Sequence, residues 1–468
     1  MHAKSGRTVR DLRRENRTAV LRRLYFDGPT SRLALGPATG LSSGSISNVV
    51  AELVAEGLVE EAGSIDSAGG RPRTLLRIAP DCGCMIGVDI GETRVRIELF
   101  DLALTELARA ERPLAPSGPR TARYEVAVVV AHLRDGIAEV LRTAGVPAER
   151  LLGVGIGVPG IVERTPEDGA VVHGQTIGWD AVPLERLLRE TVELPAEVPY
   201  RIENGAKTLG QAEMWFGAGR GARSAVVVLF GSGVGACVVT DPLGPGRALE
   251  WGHLTVRVRG RRCRCGAQGC LEAYAGAEAL LARWREAGGA PPPGADEETA
   301  LTAMLDAAYP PEATGAERVG AGARPGGAGP DGAGPDGVEP DGVEPDGAGP
   351  DGAAIAVLDE TAEYLGAGLA DLINLFQPER ILVGGWAGLQ LGSRFLGSVA
   401  AYARAYALRH PGGRTQIALG TLGPEAVTVG AGLLPLVDFF AQGGRRPERA
   451  PSAPAPAWQT ALRDRVTT

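Results

Sequence analysis

The sequence contains no long apolar segment. No window approaches 18 uninterrupted apolar residues, and the N-terminal residues MHAKSGRTVRDLRREN do not lead into an apolar stretch of signal-peptide length. A membrane-spanning helix requires about 20 mainly apolar residues, and a secretory signal requires a shorter apolar core. We therefore expect a cytoplasmic protein that is neither exported nor inserted into a membrane.

Cysteine is also scarce, with six residues in a chain of 468. In a reducing compartment, clustered cysteines are more often metal ligands or redox groups than disulfide partners. Three of the six lie in EWGHLTVRVRGRRCRCGAQGCLEAY, residues 250–274, and a histidine stands ten residues before the first of them. One imidazole and three thiolates form the ligand set of a closed tetrahedral zinc site, here His253, Cys263, Cys265 and Cys270. Cys82 and Cys84 lack comparable partners, and we expect them to be ordinary thiols.

Basic charge is in the minority, since 48 Lys and Arg face 56 Asp and Glu, for a formal net charge of −8. Residues 1–80 reverse this balance, with 12 basic against 8 acidic residues, whereas the remainder carries 36 against 48. Nucleic acid attracts basic surfaces and repels acidic ones. The charge distribution therefore favours a nucleic-acid contact at the N-terminal end only.

Part of the chain lacks the apolar residues that a folded core needs. The chain has 68 glycines and 34 prolines, and their excess lies mainly in residues 287–352, where AGPDGAGPDGVEPDGVEPDGAGPDG repeats every five residues. The tail 443–468 is rich in arginine, proline and alanine. Such composition predicts a disordered insertion and a disordered tail. The remaining length is sufficient for two or three folded units.

Residues 1–80 contain three helical segments followed by a hairpin. Residues 8–26 show helical spacing of apolar groups, and Gly36 with Pro37 predicts a second helix that is short or kinked. A third helix, capped by Ser42, precedes two strand-like runs, LVEEA and TLLRIA, around the glycine-rich tip GSIDSAGGRPR. This order predicts a winged helix-turn-helix domain.

Polar residues of the third helix and of the hairpin tip are the candidate DNA contacts. Short hydrogen-bonding side chains suit the major groove, and arginines of a wing suit phosphates or the minor groove. The candidates are Ser45, Ser47, Asn48, Arg71 and Arg73. The alternative is a small helical protein-interaction domain, but charge, hairpin and helix spacing together favour DNA binding.

The sequence after residue 84 follows an α/β pattern. Strand-like runs enter glycine-rich turns in MIGVDIGETRVRIELFDL, LLGVGIGVPGIV, SAVVVLFGSGVGACVVTDP and RILVGGWAG. Helical stretches at 123–143 and 354–376 separate these runs. The pattern predicts α/β lobes with a ligand cleft.

These motifs, in this order, resemble the ROK family, which is named for repressors, kinases and unassigned reading frames. The resemblance rests on NRTAVLRRL, GGRP, GVDIGETRVR, GIGVPG, ENGA, GSGVGA, EWGH, CRCGAQGCLE and NLFQPERILVGG. It implies a winged helix-turn-helix domain followed by a two-lobed actin-like ATPase/sugar-kinase fold at 84–440. The first lobe is expected over about 84–200 with a C-terminal helix near 428–440, and the second over about 201–427.

The resemblance also implies site residues. The family's zinc motif is a histidine followed by Cys-x-Cys-Gly-x-x-Gly-Cys, and this sequence matches it at every position, Gly266 and Gly269 included. A structural zinc ion is therefore the expected cofactor. In the family, the metal-binding histidine faces a sugar, and the implied sugar-binding residues here are Asn204, Glu250, His253 and Glu272.

Two departures from the family concern phosphate transfer. The family's catalytic aspartate is replaced by Gly205, and loss of a general base typically lowers a rate by about 10²- to 10⁴-fold. The phosphate loop retains Asp89, Gly91 and Thr93 but carries Glu92 in place of a glycine. A carboxylate about 5 Å from a phosphate repels it by roughly 3 kcal/mol at an effective dielectric near 20. We therefore expect no kinase activity.

The resemblance implies a transcriptional regulator, more specifically a repressor of carbohydrate genes. It would bind a two-fold double-stranded operator as a homodimer and respond to a sugar or sugar derivative. The alternative is an ATP-dependent, glucokinase-like sugar kinase with an accessory DNA-binding domain. A third hypothesis is a regulator that has lost sugar binding. Thr176, where the family often has a sugar-contacting asparagine, leaves the identity of the ligand open.

Overall fold

The computed structural model describes residues 8–67, 70–114, 124–240, 246–310 and 351–446. The helices are α1 Val9–Asp27, α2 Arg32–Thr39, α3 Ser43–Ala55, α4 Val126–Ala144, α5 Leu184–Thr191, α6 Gly205–Phe216, α7 Glu272–Ala275, α8 Ala277–Glu286, α9 Glu297–Ala308, α10 Gly352–Phe376, α11 Trp386–Tyr406, α12 Arg409–Arg414 and α13 Ala426–Ala441. The strands are β1 Thr30–Ser31, β2 Val59–Ser67, β3 Gly70–Ile78, β4 Cys84–Ile90, β5 Arg94–Asp101, β6 Glu106–Pro113, β7 Leu151–Val158, β8 Ile161–Thr165, β9 Gly169–Gly174, β10 Trp179–Val182, β11 Tyr200–Asn204, β12 Ala225–Phe230, β13 Val234–Val239, β14 Arg247–Leu249, β15 Arg380–Gly384 and β16 Gln416–Leu419.

The N-terminal unit consists of α1, α2 and α3 packed beside a three-stranded antiparallel sheet in the order β1-β3-β2. Thr8 and Asp11 form a capping box that starts α1, and Ser42 caps α3 as the sequence predicts. Helix α2 is short and contains Pro37. The order of helices and hairpin is the one predicted for a winged helix-turn-helix.

The first lobe is built on a five-stranded sheet in the order β11-β7-β4-β5-β6. Strands β11, β7 and β4 are parallel, and β5 and β6 extend the sheet as an antiparallel meander. The sheet is covered by helices, with α13 packed on β7 and β4 and α4 packed on β5 and β6. Every residue of β7 is buried. A small antiparallel sheet, β10-β9-β8, accompanies this lobe.

The second lobe repeats the same topology in the order β14-β13-β12-β15-β16. In both lobes an antiparallel meander of three strands is followed by two strands that add in parallel beside the first strand of the meander. Helices α7 to α11 contribute to one large apolar core around this sheet. The repeated topology is the α/β arrangement that the sequence pattern predicts.

Helices α6 and α13 lie between the lobes and pack against each other. Glycines permit the close packing of α13 on both α6 and β7: a Cβ at Gly430 of α13 would lie 1.9 Å from the carbonyl oxygen of Thr208 in α6, and one at Gly155 of β7 would lie 1.7 Å from that of Ala431 in α13. A side chain at either position would therefore force the helix away from its neighbour.

We expect Gly155→Ala to lower the free energy of unfolding by about 3 kcal/mol, since two backbone segments of the core would have to separate. Gly397→Ala is a matched control, because it lies in α11 with nothing within 4 Å of its Cβ. This control should be neutral or stabilising by up to about 1 kcal/mol. Urea denaturation measures both, and equal effects would contradict the packing of α13 on β7.

Three predicted boundaries require correction. The predicted disordered insertion begins too early, because residues 297–308 form α9, whose Ala300, Leu301 and Met304 are fully buried. The predicted tail also begins too early, because the carbonyl of Gly443 accepts a hydrogen bond from Arg17 at 2.6 Å. The first lobe extends to Asn204, since β11 pairs with β7. Residues 311–350, which include all of the five-residue repeat except Asp351 and Gly352, and residues 447–468 lie outside the described residues. Asp351 caps α10 and Gly352 begins it.

Across the described ranges, no helix has the length and apolar character that a membrane crossing requires.

Candidate functional site

A cleft of about 1390 Å³ separates the two lobes. Glycine-containing turns form much of its wall: Gly91 follows β4, Gly160 follows β7, Gly233 lies between β12 and β13, and Gly385 follows β15. The cleft therefore lies at the strand ends of both sheets, where backbone rather than side chains can face a ligand.

The segment from His253 to Cys270, which we call the knuckle, contains the cysteine cluster and forms part of one wall of the cleft. The N–H of Cys263 donates to the carbonyl of Ala267 at 2.8 Å, and that of Gly266 donates to the carbonyl of Cys263 at 3.0 Å. Gly266 and Gly269 adopt φ of +97° and +78°. A Cβ at Gly269 would lie 1.8 Å from the carbonyl oxygen of Arg257, so only glycine fits there. The glycines of the motif thus allow the chain to fold back on itself.

The four predicted ligand atoms converge. The nearest ligand atoms of His253, Cys263, Cys265 and Cys270 all lie within 4.8 Å of one another. The Cys265 and Cys270 sulfurs are 3.8 Å apart, and the Cys263 sulfur is 3.8 Å from His253 Nδ1. A tetrahedral ion with metal–sulfur bonds of about 2.3 Å separates its sulfurs by about 3.8 Å. The cluster can therefore hold a metal ion.

The His253 ring connects this cluster to the cleft. Its Nδ1 faces the Cys263 sulfur, and its Nε2 lies 3.9 Å from a carboxylate oxygen of Glu250. Burial raises the pKa of the Glu250 carboxyl, while His253 opposes that rise. A metal bound at Nδ1 would leave Nε2 directed to Glu250 and the cleft.

The predicted sugar-binding residue Glu272 is engaged by protein groups. It is buried at the start of α7, and its two oxygens accept hydrogen bonds from Arg264 Nε at 2.8 Å and from the Val234 N–H at 3.1 Å. Burial tends to raise the pKa of Glu272, but the Arg264 guanidinium holds it below its ordinary value. Glu272 is therefore an ionised group that Arg264 already neutralises.

Asn204, another predicted sugar-binding residue, caps the helix between the lobes. Its Oδ1 accepts from the Ala206 N–H at 2.9 Å, and its Nδ2 donates to the carbonyl of Gly160 at 2.7 Å. It lines the cleft at the N-terminus of α6, directly after β11. Asn204 thus fixes the position of α6 in addition to the sugar contact expected of it.

The predicted phosphate loop forms the turn between β4 and β5 and lines the cleft with Asp89, Gly91 and Thr93. Its Glu92 side chain crosses the cleft to Arg264. Gly205 and Thr176 line the cleft as well. A Cβ at position 205 would meet Leu229 at 3.5 Å, an ordinary contact, so the glycine there is not required sterically.

The buried carboxyl of Asp89 gives the protein a distinct pH dependence. Burial raises the pKa of Asp89 from 3.8 to about 6, against the opposing effect of Arg96 and Arg94. The folded state therefore favours the protonated carboxyl, and this stabilisation is lost as the pH rises through 6. Relative to Asp89→Asn, the wild type should lose about 2 kcal/mol between pH 4.5 and 7.5, measured by urea denaturation. A pH-independent difference would contradict this assignment.

Three of the five candidate DNA contacts are exposed on the surface of the N-terminal unit. Ser47 and Asn48 are exposed on α3, and Arg73 is exposed on β3. Ser45 is half-buried, and its hydroxyl lies 3.0 Å from that of the capping Ser42. The side chain of Arg71 lies outside the described part of the chain.

An aromatic junction joins the N-terminal unit to the lobes. The Phe26 ring contacts Trp215 at 4.9 Å between ring centroids, and Tyr25 contacts Phe440 at 5.2 Å. Thr18 donates to the carbonyl of Phe440 at 2.7 Å. Helix α6 thus begins at the cleft with its Asn204 cap and ends against the N-terminal unit.

Two functional features were not predicted. Arg264 lies between two candidate metal ligands and bridges to Glu92, a residue 172 positions away. Arg17, one of several arginines in α1, is only 2% exposed and pairs with Glu52 and Glu56 of α3. None of these three partners lies near its arginine in the sequence, since they are 35, 39 and 172 positions away, so only a tertiary structure could reveal these pairs.

Comparison with known proteins gives consistent matches. The sequence profile described as "ROK family" matches residues 85–436. A xylose repressor of Caldicellulosiruptor bescii is 26% identical over 389 residues, which cover 82% of this chain and 86% of that repressor.

Solved structures match over similar lengths. A ROK family transcriptional regulator, a homolog of the E. coli MLC protein, has a TM-score of 0.65 at 22% identity and covers 92% of this chain and 98% of its own. A ROK family glucokinase from Streptomyces griseus, solved with glucose and AMPPNP, has a TM-score of 0.55 at 24% identity and covers 75% of this chain and 99% of its own.

The two lobes with repeated sheets and a shared cleft define a protein of the sugar-kinase-like α/β class. The family profile matches well over half of the chain. The chain belongs to the ROK family, and the resemblance found in the sequence is confirmed.

Proposed function

We propose that this protein is a sugar-responsive transcriptional repressor whose kinase-like lobes act as the sensor. One observation carries the proposal: α6 begins at the cleft and ends against α1 of the N-terminal unit, which also carries the hairpin and the exposed polar residues of α3. The xylose repressor supports the proposal, because its similarity extends over most of both chains. The operator would be two-fold and the protein a homodimer, since paired α3 helices would then read two half-sites.

We propose further that His253, Cys263, Cys265 and Cys270 hold a structural zinc ion. The proximity of the four ligand atoms and the soft sulfur donors support zinc. With four protein ligands, the ion would have no open position for chemistry, and its contribution would be to fix the knuckle and the His253 ring. The His253 Nε2 and Glu250 would then offer hydrogen-bonding groups to a sugar hydroxyl.

The proposal includes the absence of phosphate transfer. Gly205 supplies no general base, and Glu92 places a carboxylate beside the phosphate loop. A coupled ADP-release assay over hexoses, pentoses and amino sugars should therefore give no turnover above background. Turnover that Asn204→Ala abolishes would instead favour the sugar-kinase function, because Asn204 lines the cleft.

Helix α6 provides a route from ligand to DNA. Twelve helical residues span about 18 Å, from the Asn204 cap at the cleft to Trp215 at the N-terminal unit. A sugar that binds the two arrangements of the lobes unequally would shift α6 and so alter the spacing of paired α3 helices. The sugar would change operator affinity only to the extent of that difference.

The experiment is a binding titration with DNA fragments from upstream of the gene and of neighbouring carbohydrate genes, with and without each sugar. Ser47→Ala and Asn48→Ala should each weaken binding by about tenfold. Ser398→Ala is the matched control, because Ser398 is exposed on α11, outside the N-terminal unit. Failure of the wild type to bind any fragment at low and moderate salt would reject the proposal.

A further inference from the structure

Arg264 is a buried cation at the centre of an acidic cluster. Its side chain is 9% exposed, and its guanidinium pairs with both oxygens of Glu92, one of them at 2.8 Å. It also pairs with Glu272 at 2.8 Å and with Glu278 at 3.2 Å. Glu92 belongs to the first lobe, and the other residues belong to the second. The Glu92–Arg264 pair therefore crosses the cleft.

This pair fills the space between the glycine turns of the two lobes. A Cβ on Gly233 would lie 2.1 Å from Arg264 Nη2 and 2.1 Å from a Glu272 oxygen. The side chains of Arg264 and Glu272 therefore lie directly against the backbone of Gly233. Glu92 follows Gly91 in the facing turn. Glycine turns of this kind are suited to phosphate, because their backbone N–H groups can approach an anion. Here a carboxylate and a guanidinium occupy the gap.

A second ion pair of opposite direction crosses beside the first. Arg94 of the first lobe pairs with Glu298 of α9 in the second lobe. The β4–β5 turn thus presents an anion and a cation two residues apart, and the second lobe presents the complementary charges. Two ion pairs of opposite direction fix the position of the β4–β5 turn relative to the second lobe, because a shift of the turn would bring like charges together.

We propose that Glu92 determines which ligands the cleft accepts. Its ion pair with Arg264 occupies the place of nucleotide phosphates and holds the two lobes together. The cleft therefore admits a neutral polyol and excludes a nucleoside triphosphate. Three carboxylates surround the single guanidinium, so the cluster is net negative and repels phosphate. The proposal rests on the sugar-sensing function proposed above for the same cleft.

Nucleotide binding by Glu92 variants tests the exclusion. The probe is the magnesium complex of a fluorescent N-methylanthraniloyl ATP, titrated against the wild type and Glu92→Gly. We expect a gain of about tenfold or more in affinity for Glu92→Gly, because a buried charge and its pairing are removed. Glu286→Gln is the matched control, since Glu286 pairs with Arg261 while its own side chain is 63% exposed. Equal affinity of wild type and Glu92→Gly would overturn the proposal.

Exchanging the charges of Glu92 and Arg264 tests whether their ion pair holds the two lobes together. Glu92→Arg and Arg264→Glu should each raise the radius of gyration in solution scattering. The double variant should lower it again, but only in part, because the carboxylate introduced at position 264 would also face Glu272 and Glu278. Because Arg264 lies between two candidate metal ligands, Arg94→Glu, Glu298→Arg and their double variant provide a second exchange that changes no candidate ligand and no residue next to one. Absence of recovery in both double variants would overturn the lobe-holding role.

Failure of this inference can be distinguished from failure of the repressor function. If the wild type binds no operator but Glu92→Gly gains nucleotide affinity, the inference about Glu92 holds and the proposed repressor function is rejected. A protein that binds operator in a sugar-dependent way, with nucleotide affinity unaffected by residue 92, retains the function and loses the inference.

Discussion

Replacing Cys270 with serine is expected to abolish metal binding, from about one ion per chain to less than about a tenth. Cys270 is fully buried, and its sulfur lies 3.8 Å from that of Cys265. A serine hydroxyl is not ionised at neutral pH and cannot replace a thiolate ligand. Burial also raises the pKa of the Cys263 and Cys270 thiols, so a cation is needed to keep these sulfurs ionised at neutral pH.

The same substitution should lower the free energy of unfolding by about 3 kcal/mol or more. The knuckle between His253 and Cys270 has turn hydrogen bonds and two isolated β-bridges but no helix or extended strand after His253, so a metal ion would add the cross-links between its side chains. Elemental analysis and urea denaturation measure the two effects. Cys82→Ser is the control, because Cys82 lies outside the cluster and should leave the metal content unchanged. Full metal content in the Cys270→Ser protein would refute the assignment of ligands.

The second large effect is expected for Trp215→Ala. Trp215 is 5% exposed at the end of α6, and its ring contacts Phe26 of α1. Truncating a buried tryptophan typically destabilises a protein by about 3–5 kcal/mol. We expect operator affinity to become independent of sugar, with a ratio of affinities with and without sugar of about one, because α6 would lose its ring contact with Phe26 of the N-terminal unit.

Fluorescence anisotropy with an operator fragment and the effector sugar measures this ratio. Trp284→Ala is the matched control, because Trp284 is also buried, in α8 of the second lobe, and its Nε1 donates to Asp351 at 2.9 Å. It should cost comparable stability but preserve the response to sugar. An intact sugar response in Trp215→Ala would exclude α6 as the route.

The sequence predicted the order of elements well because most of their signals are local. The Ser42 cap and the apolar stripe of α3 lie within one helix, and the four candidate metal ligands lie within eighteen residues. Strands were recognisable because they enter glycine turns. Each of these features depends on neighbouring residues, so no tertiary information was needed.

The predictions that failed depended on composition or on distant partners. Composition predicts disorder across α9, because glycine and proline are frequent around it. Its Asp296 cap and the buried spacing of Ala300, Leu301 and Met304 were a signal that could have identified it. No local signal could have paired Arg264 with Glu92, because that contact depends on how the two lobes approach each other. The Asn204 cap of α6, in contrast, is a contact with residues two and three positions later, and asparagine is a common N-cap residue.

The attachment of Arg17 to Gly443 has a consequence for synthesis. Arg17 donates a hydrogen bond to the carbonyl of Gly443, a residue that is synthesised 426 positions later. Thr18 likewise donates to the carbonyl of Phe440, so neither bond can form until the C-terminal end of the lobes has been made. Domains generally fold in order as they leave the ribosome. The N-terminal domain can therefore fold early during translation, but it gains its fixed orientation only after the last lobe helix has emerged. Products of premature termination would carry that domain on a loose tether.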